Sequence, residues 1–593
     1  MNAARRGVKF CSVLAALAAL AGPAFAGGGT PGIPGQLPDG YLVLPFENES
    51  GVVGIDWMRA GLPAALGEKL EAHPGLRAIF GTLILPDGAP PQVIDAAAVA
   101  ALAHAAGARF VWSGAFARPD WKLQVTVRLW SVEAGSSAAV LVGEKTEKGD
   151  FSRSFELLDR CALDLLGKTD RAPAAAAEAA IRRAPTRDYY AYTLYGRGLH
   201  ELHGLGRAPD LARAEKDLAK SVFIDPKYAE AHRMLAALYE ARGQPARARG
   251  QRTYALDLKP DYYAPLAGLV RSAYKAKERD EGIELAERAL AIRPWDLDVR
   301  QMLGEMLWEE GDVDGAHVEL KRIVDFKPDY LPARRVLVLV HSAKGHGQEL
   351  AAELEAVIEL DPDDEAARLD LGAAYQALGR DTDAITMYEQ VAQQNPKQIQ
   401  ALKFLGDLHK GKGDLRTAIG YYEKAFTANR NDPRPYFLLG AAYVDAGEDR
   451  KAIRIYQLAQ KFPRYLGETY NNLGSIYYRR KDRNQAMWYL SRAAALRPSS
   501  PRVHYNYGLV LAFAKLREQA RKELTIASEL DPADADIQFE LGVAELRLGR
   551  LEEAEKAFQE AVRLDPRHED ALHNLKLIDE LRRRAREGEI QIE

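Results

Sequence analysis

The chain has little cysteine: Cys11 and Cys161 are the only two among its 593 residues. Only Cys161 follows a predicted N-terminal signal sequence, so an internal disulfide is excluded and the folded parts must rely on buried apolar surface. Apolar segments are also short. None after the N-terminal one reaches the roughly 18 residues that a membrane-spanning helix needs, so the sequence predicts no stable membrane insertion.

Neither sign of charge is in large excess. The 80 lysines and arginines nearly balance the 84 aspartates and glutamates, which gives a formal net charge of −4. Proteins that bind nucleic acid non-specifically present a strongly basic surface. The composition therefore argues against nucleic acid as a partner.

The motifs of common enzymes and cofactor-binding folds are missing as well. The sequence contains no phosphate-binding loop, no dinucleotide-binding glycine motif, no HExxH, no CxxC and no GxSxG. We therefore predict no catalytic residue, no metal ion and no cofactor, and we classify the protein as a non-enzyme.

Three pairs of side chains remain as candidates for chemistry. Each histidine pair could be half of a metal site, but no third ligand is evident, and a solvated helix end or turn is the simpler interpretation. The glutamate pair could act as paired carboxylates, although a turn after a strand explains it equally. The pairs are His200 with His203, His341 with His346, and Glu47 with Glu49.

Residues 1–26 have the three features of a secretory signal peptide. Basic residues come first, an apolar segment follows at Ser12–Ala21, and Ala24-Phe25-Ala26 forms a small-x-small cleavage site. An uncleaved membrane anchor is the alternative. Cleavage would remove three basic residues and leave a net charge of −7. A single remaining cysteine is compatible with export to a bacterial periplasm, which we predict.

A period of 34 residues dominates the rest of the chain. Proline occupies nine of eleven successive positions at this spacing. Small residues such as Gly372 and Ala384 recur at two further offsets, and a loop glycine such as Gly379 lies between two amphipathic segments. The eleven positions are Pro226, Pro260, Pro294, Pro328, Pro362, Pro396, Arg430, Arg464, Pro498, Pro532 and Pro566.

Each period predicts two helices joined by a tight turn, with small residues where the helices cross. Helices of about 12–14 residues are marginal alone, so they need neighbours to bury their apolar faces. This helix–turn–helix period resembles the tetratricopeptide repeat. The resemblance implies a mainly α-helical solenoid of about eleven units at 188–566, followed by a capping helix and tail at 567–593.

A smaller region of strands and helices precedes the repeats. We predict a flexible tether at 27–40, an α/β domain at 41–168 with the order β-α-β-α-β-β-β-α, and an Ala/Pro-rich linker at 169–187. Leu44–Gly51 and Ala108–Gly135 resemble the N-terminal domain type of the translocation protein TolB, which often precedes tetratricopeptide arrays in bacterial proteins. The resemblance implies a bacterial protein with a binding or envelope-assembly role.

If the repeats coil as tetratricopeptide arrays do, the first helix of each unit lines a concave groove. Its exposed positions combine polar and aromatic residues, which suits an extended peptide. Asn472 and Asn506 could hydrogen-bond a ligand's backbone, or they could pair with neighbouring helices. Only Lys403 fits a carboxylate clamp, so that ligand class is set aside. The predicted partner-binding residues are Lys403, Asp407, Arg434, Phe437, Asn471, Asn472, Tyr478, Arg502, Tyr505, Asn506 and Phe539.

Two functional hypotheses follow. In the first, the protein is a non-enzymatic scaffold of the bacterial envelope that holds a partner peptide or protein in the groove. In the second, the α/β domain senses a glycan or small molecule, and the repeats relay its state.

Overall fold

A computed structural model describes residues 39–71, 73, 76–80, 95–204 and 209–586. These residues fall into two compact units, divided between Leu360 and Asp361. The predicted signal peptide and all but the last two residues of the predicted tether lie outside the described residues.

The first unit begins with a mixed sheet of six strands in the order β3-β1-β4-β5-β6, with β2 also on β4. β1 pairs in parallel with β3 and with β4, and β2 pairs in parallel with β4, whereas β4-β5 and β5-β6 are antiparallel. This confirms a small α/β region. The strands are β1 Asp39–Val43, β2 Glu47–Asn48, β3 Leu76–Phe80, β4 Phe110–Ala117, β5 Leu123–Ser131 and β6 Val140–Gly149; the helices are α1 Met58–Leu70, α2 Ala96–Ala106 and α3 Ser154–Leu166.

The first strand stops before Pro45, and a separate two-residue strand follows it. β1 ends at Val43, although the Leu44 N–H still donates to the Trp112 carbonyl at 2.8 Å. The chain then bends through Pro45, and β2 continues along β4 at Ala115 and Phe116. Proline lacks the N–H that an uninterrupted strand would donate, which accounts for the break.

One face of β5 is covered. Its alternate residues Leu123, Val125, Val127 and Leu129 are completely buried, and α3 packs against β5 and β6. This period-two burial is the pattern of a sheet with one face on the core.

The helices that follow pack in successive pairs. In the first unit they begin after the short helix α4 Ala175–Ile181. They are α5 Tyr189–His203, α6 Leu211–Ile224, α7 Ala229–Ala241, α8 Pro245–Leu258, α9 Tyr263–Ala276, α10 Arg279–Ile292, α11 Leu297–Glu310, α12 Val313–Phe326, α13 Leu331–Lys344 and α14 Gly347–Leu360.

The second unit continues the pairs and ends in a single longer helix. Counted over both units, α5–α26 make eleven pairs and α27 is the additional C-terminal helix, as predicted. They are α15 Glu365–Ala377, α16 Asp381–Gln394, α17 Ile399–Gly411, α18 Leu415–Ala428, α19 Arg434–Asp445, α20 Asp449–Ala459, α21 Leu466–Arg479, α22 Arg483–Leu496, α23 Pro501–Phe513, α24 Arg517–Leu530, α25 Ala535–Arg547, α26 Leu551–Leu564 and α27 Glu569–Arg586.

The recurring small residues are where the paired helices meet. A Cβ added to Gly406 in α17 would lie 2.7 Å from Cζ of Tyr422 in α18. Tyr422 is buried, and its hydroxyl donates to Asp407 at 2.6 Å. The loop glycines Gly379, Gly413 and Gly447 all have φ between 72° and 80°, a conformation that glycine adopts without the steric cost of a side chain.

Within the first unit, the sheet region and the first repeats share one hydrophobic core. Trp57, which precedes α1, has its ring centroid 5.5 Å from that of Tyr192 in α5. The segment between the two regions is anchored too, because Ile181 is buried and its carbonyl accepts a hydrogen bond from Lys69 Nζ at 3.0 Å.

Candidate functional site

The first helices α17, α19, α21 and α23 of the second unit contribute to a cleft of about 480 Å³. A volume in this range is typical of ligand sites in proteins. The cleft combines apolar walls with side chains of both charges. It is lined by Lys403, Arg434, Phe437, Leu438, Tyr465, Glu468, Asn471, Asn472, Arg497, Ser500, Arg502 and Val503.

Six of the predicted partner-binding residues meet in this cleft. They come from four successive repeats, which are brought together by the stacking of the first helices. The six are Lys403, Arg434, Phe437, Asn471, Asn472 and Arg502.

Tyr465 is a lining residue that the sequence analysis did not select. It ends a short 3₁₀ turn, Pro463–Tyr465, which precedes α21. Its ring centroid lies 5.8 Å from that of Phe437. The sequence does contain a signal of this irregularity. The 34-residue period expects proline at position 464, but arginine occupies it and the proline of this repeat is residue 463.

The asparagines are held by protein neighbours. The expectation that Asn471 is exposed is wrong: only 5 % of its surface is accessible, and its Oδ1 accepts a hydrogen bond from the Asn506 amide at 2.9 Å. Asn472 hydrogen-bonds the Tyr456 hydroxyl, while burial raises the pKa of Tyr456 to about 12. Of the two alternatives for Asn472 and Asn506, pairing with neighbouring helices is therefore the one observed.

Most of the cationic groups in the cleft have carboxylate partners. Lys403 Nζ lies 2.6 Å from Asp407, and Arg434 contacts Asp432 at 2.5 Å, which holds the pKa of Asp432 below its ordinary value. Arg502 differs. It is exposed and forms no ion pair within the part of the chain that the structure describes.

The remaining predicted residues lie outside the cleft lining. The Tyr478 ring packs against Phe513 with centroids 5.7 Å apart, and the Phe539 ring packs against Phe558 at 5.7 Å. Tyr505 is half-buried, and burial raises its pKa to about 12. The aromatic side chains predicted to be free for a ligand are thus partly used in packing within and between repeats.

A second cavity, of about 530 Å³, lies in the first unit between the sheet region and the first repeats. We call it the junction cavity. Arg293 Nη2 approaches Glu71 at 3.6 Å and Lys259 Nζ approaches Glu230 at 3.7 Å across it. Its lining is Glu68, Lys69, Glu71, His73, Leu76, Ala180, Arg183, Ala184, Pro185, Lys227, Ala229, Glu230, Leu258, Lys259, Asp261, Tyr262, Tyr263, Ile292, Arg293 and Trp295.

Glu68 is the most perturbed acid of the junction cavity. Burial, reinforced by the nearby Glu230 carboxylate, raises the pKa of Glu68 to about 8. Its Oε1 accepts a hydrogen bond from the Tyr195 hydroxyl at 2.8 Å, whereas Oε2 is shielded from solvent without a hydrogen-bond partner among the described residues. No periodic pattern in the sequence marks this residue.

The described histidine, cysteine and acidic side chains do not form a metal site, and the buried cysteine is a poor candidate for redox chemistry. Within the described ranges, no group of three or more histidine, cysteine, aspartate or glutamate side chains is arranged to hold a metal ion. Cys161 is buried, and burial raises the pKa of its thiol to about 12, so little thiolate forms at neutral pH.

Among the described helices, none is both long enough and apolar enough to cross a membrane.

Sequence comparison identifies helical pairs between residues 273 and 569 as tetratricopeptide repeats. Tetratricopeptide repeat models match residues 273–337 and 344–408, residues 405–465 and 514–569, and residues 467–500. The protein is therefore a tetratricopeptide repeat array preceded by a small α/β region. Such repeats typically mediate protein–protein interactions and are generally non-catalytic. No curated protein sequence matches the chain.

Several solved structures are similar to parts of the chain. One is YrrB, a TPR protein with an unusual peptide-binding site: identity is 22 %, covering 32 % of this chain and 97 % of YrrB, with a TM-score of 0.27. Pseudomonas aeruginosa pilF has 17 % identity over 35 % of this chain and 95 % of its own, with a TM-score of 0.32. Naa15/Naa10 bound to HypK-THB has 16 % identity over 67 % of this chain and 66 % of its own, with a TM-score of 0.35.

Proposed function

We propose that the protein is a non-enzymatic scaffold of the bacterial envelope, which binds an extended segment of a partner protein in the cleft of the second unit. The observation that carries the proposal is the cleft itself, to which four repeats contribute. It combines the half-buried Phe437 and the exposed Tyr465 with Arg502, which is exposed and forms no ion pair among the described residues. An apolar floor beside polar anchoring groups suits a peptide side chain and its backbone.

Export and the TolB-like assignment belong to the same proposal. The basic start, apolar segment and small-x-small site of residues 1–26 support a cleaved signal peptide. The mixed sheet, with two antiparallel strand pairs after parallel β1 and β4, supports an α/β binding module at 41–168. In this arrangement the sheet region and the repeats each contribute a binding surface.

Reversing the charge of Arg502 tests the cleft. Peptides selected from a random 12-residue library on the full chain would be titrated by fluorescence anisotropy. R502E should weaken the selected peptides by about tenfold or more, because it replaces an unpaired cation with an anion at the binding surface. R416E is the matched control: Arg416 is exposed on α18, outside the cleft lining. Equal binding by R502E and wild type would refute the proposed cleft.

The junction cavity favours a second candidate function, in which a small molecule or glycan binds in the first unit. Cavities at the boundary between packed regions are frequent ligand sites. Arg183 and Lys227 line this cavity, are exposed, and form no ion pair among the described residues. They are therefore available to a ligand with an anionic group.

Ligand-induced stabilisation tests this candidate. We expect at least one compound in a panel of oligosaccharides and small carboxylates to raise the unfolding temperature of the full chain, because a ligand bound only to the folded state stabilises it. The double variant R183E/K227E should lose the shift, while R416E should keep it. A panel without any shift, or a shift retained in R183E/K227E, would count against the cavity as a sensor site.

A further inference from the structure

The hairpin between β4 and β5 ends in a strained turn. Asp120 has φ 51° and ψ 41°, and the next residue, Trp121, has φ 63°. The Lys122 N–H donates to the Pro119 carbonyl across the turn at 3.0 Å. Two successive positive φ values match a type I′ turn, whose second central position is normally glycine because a side chain there is unfavourable.

The same residue is unfavourable for a second, independent reason. Trp121 is 81 % exposed, which leaves a large aromatic surface in water. A glycine would relieve the backbone strain and remove the exposed ring. Backbone strain that is retained at a surface position indicates that the side chain there has a function.

Val53 lies at the same end of the sheet. The loop that contains it leaves β2 at the level of Phe116, because Glu49 N–H donates to the Phe116 carbonyl at 2.9 Å. β4 enters the hairpin turn immediately after Ala117. Val53 is 80 % exposed, so two of the most exposed large apolar side chains in the described ranges occupy one end of one sheet.

A guanidinium lies against the exposed ring. Arg118 Cζ is 4.2 Å from the Trp121 ring centroid and 5.8 Å from that of Phe151. Arg118 forms no ion pair within the described ranges. Stacking occupies the face of a guanidinium and leaves its edge N–H groups available to a carboxylate. Tryptophan and arginine are also the residues that most often dominate protein–protein binding energy.

We propose that the Trp121 tip, formed by Arg118, Trp121 and Val53, inserts into an apolar pocket on a partner protein that carries a carboxylate at its rim. We expect a negatively charged rim because Arg118 is a cation that forms no ion pair among the described residues. The turn with two positive φ values holds the Trp121 ring in one orientation, which favours binding to a pocket of fixed shape, whereas a fluid bilayer requires no fixed orientation. A protein pocket is therefore favoured over a membrane. This surface is independent of the cleft in the second unit.

Site-specific photo-crosslinking identifies the partner. A photoreactive amino acid would replace Trp121 in the full chain, and a second variant would carry it at Val140. Val140 is the matched position because it is 65 % exposed at the opposite end of the same sheet, where it pairs with Ser131. We expect a protein adduct in the host cell from position 121 that position 140 does not give. Absence of such an adduct would overturn the proposal.

The purified adduct partner then allows a quantitative test. W121G should weaken its binding at least tenfold, yet unfold at a temperature no lower than wild type, since glycine suits the left-handed turn. V140S should bind within twofold of wild type. Wild-type affinity in W121G would refute the tip. If vesicles of phosphatidylglycerol and phosphatidylethanolamine sediment wild type but not W121G, a membrane is the target and the protein-pocket proposal fails.

Discussion

G406A should destabilise the second unit by about 2–3 kcal/mol, within the range for overpacking a tight core. The new Cβ would lie 2.7 Å from Cζ and 2.8 Å from Cδ1 of Tyr422. The ring cannot simply rotate away, because it is buried and its hydroxyl is bonded to Asp407. Relief requires α17 and α18 to separate, which weakens the contacts on both sides of this repeat. Denaturant unfolding combined with hydrogen exchange of peptides from α17 and α18 measures the effect.

Gly420 provides the matched control for this prediction. It lies in the partner helix α18, and a Cβ added there would meet no atom within 4 Å. G420A should therefore stabilise the unit slightly, by about 0.5–1 kcal/mol, since alanine is a better helix former than glycine. If G406A and G420A behaved alike, close helix crossing would not explain the recurring glycine.

E68Q should stabilise the first unit increasingly as the pH rises from about 4.5 to about 8. In this interval the unfolded Glu68 loses its proton, whereas the folded one keeps it, because the pKa of the folded carboxyl is about 8. Wild type therefore loses stability as the pH rises, and glutamine does not. At pH 8 the difference should be on the order of 2–4 kcal/mol, since a tenfold change in proton affinity corresponds to about 1.4 kcal/mol.

The measurement is denaturant unfolding at a series of pH values, with hydrogen exchange of α1 and α5 to assign the transition. E287Q removes an exposed carboxylate from α10 in the same unit and should follow the wild-type curve. A difference between E68Q and wild type that stays constant from pH 4.5 to 8 would exclude a buried, protonated Glu68.

Periodicity accounts for what the sequence could predict. The 34-residue spacing of prolines and small residues reports a backbone geometry that repeats, so helix pairs and their crossings follow from local rules. The sheet region was predicted as an α/β order because β5 alternates apolar and polar residues over its whole length, which is a strong strand signal. In the cleft, Arg434 on α19 and Arg502 on α23, which the same register selected, both belong to the lining.

What the register could not predict was set by contacts between side chains. Asn471 is buried and hydrogen-bonded to Asn506 of the next repeat, and the position of Tyr465 depends on a 3₁₀ turn that interrupts the period. The junction cavity joins residues more than 200 positions apart, such as Glu68 and Arg293. Periodic patterns carry no information about such distant pairs.

The core shared by the sheet region and the first repeats has a mechanical consequence. A partner that pulls on the Trp121 tip pulls on β4 and β5, and the sheet transmits this load through α3 and α1 to the buried rings of Tyr192 and Tyr195. Before the load is released, many interlocked side chains must then slide together, which differs from the opening of a single hinge. The first unit is therefore suited to carry tension from the sheet to its helical repeats.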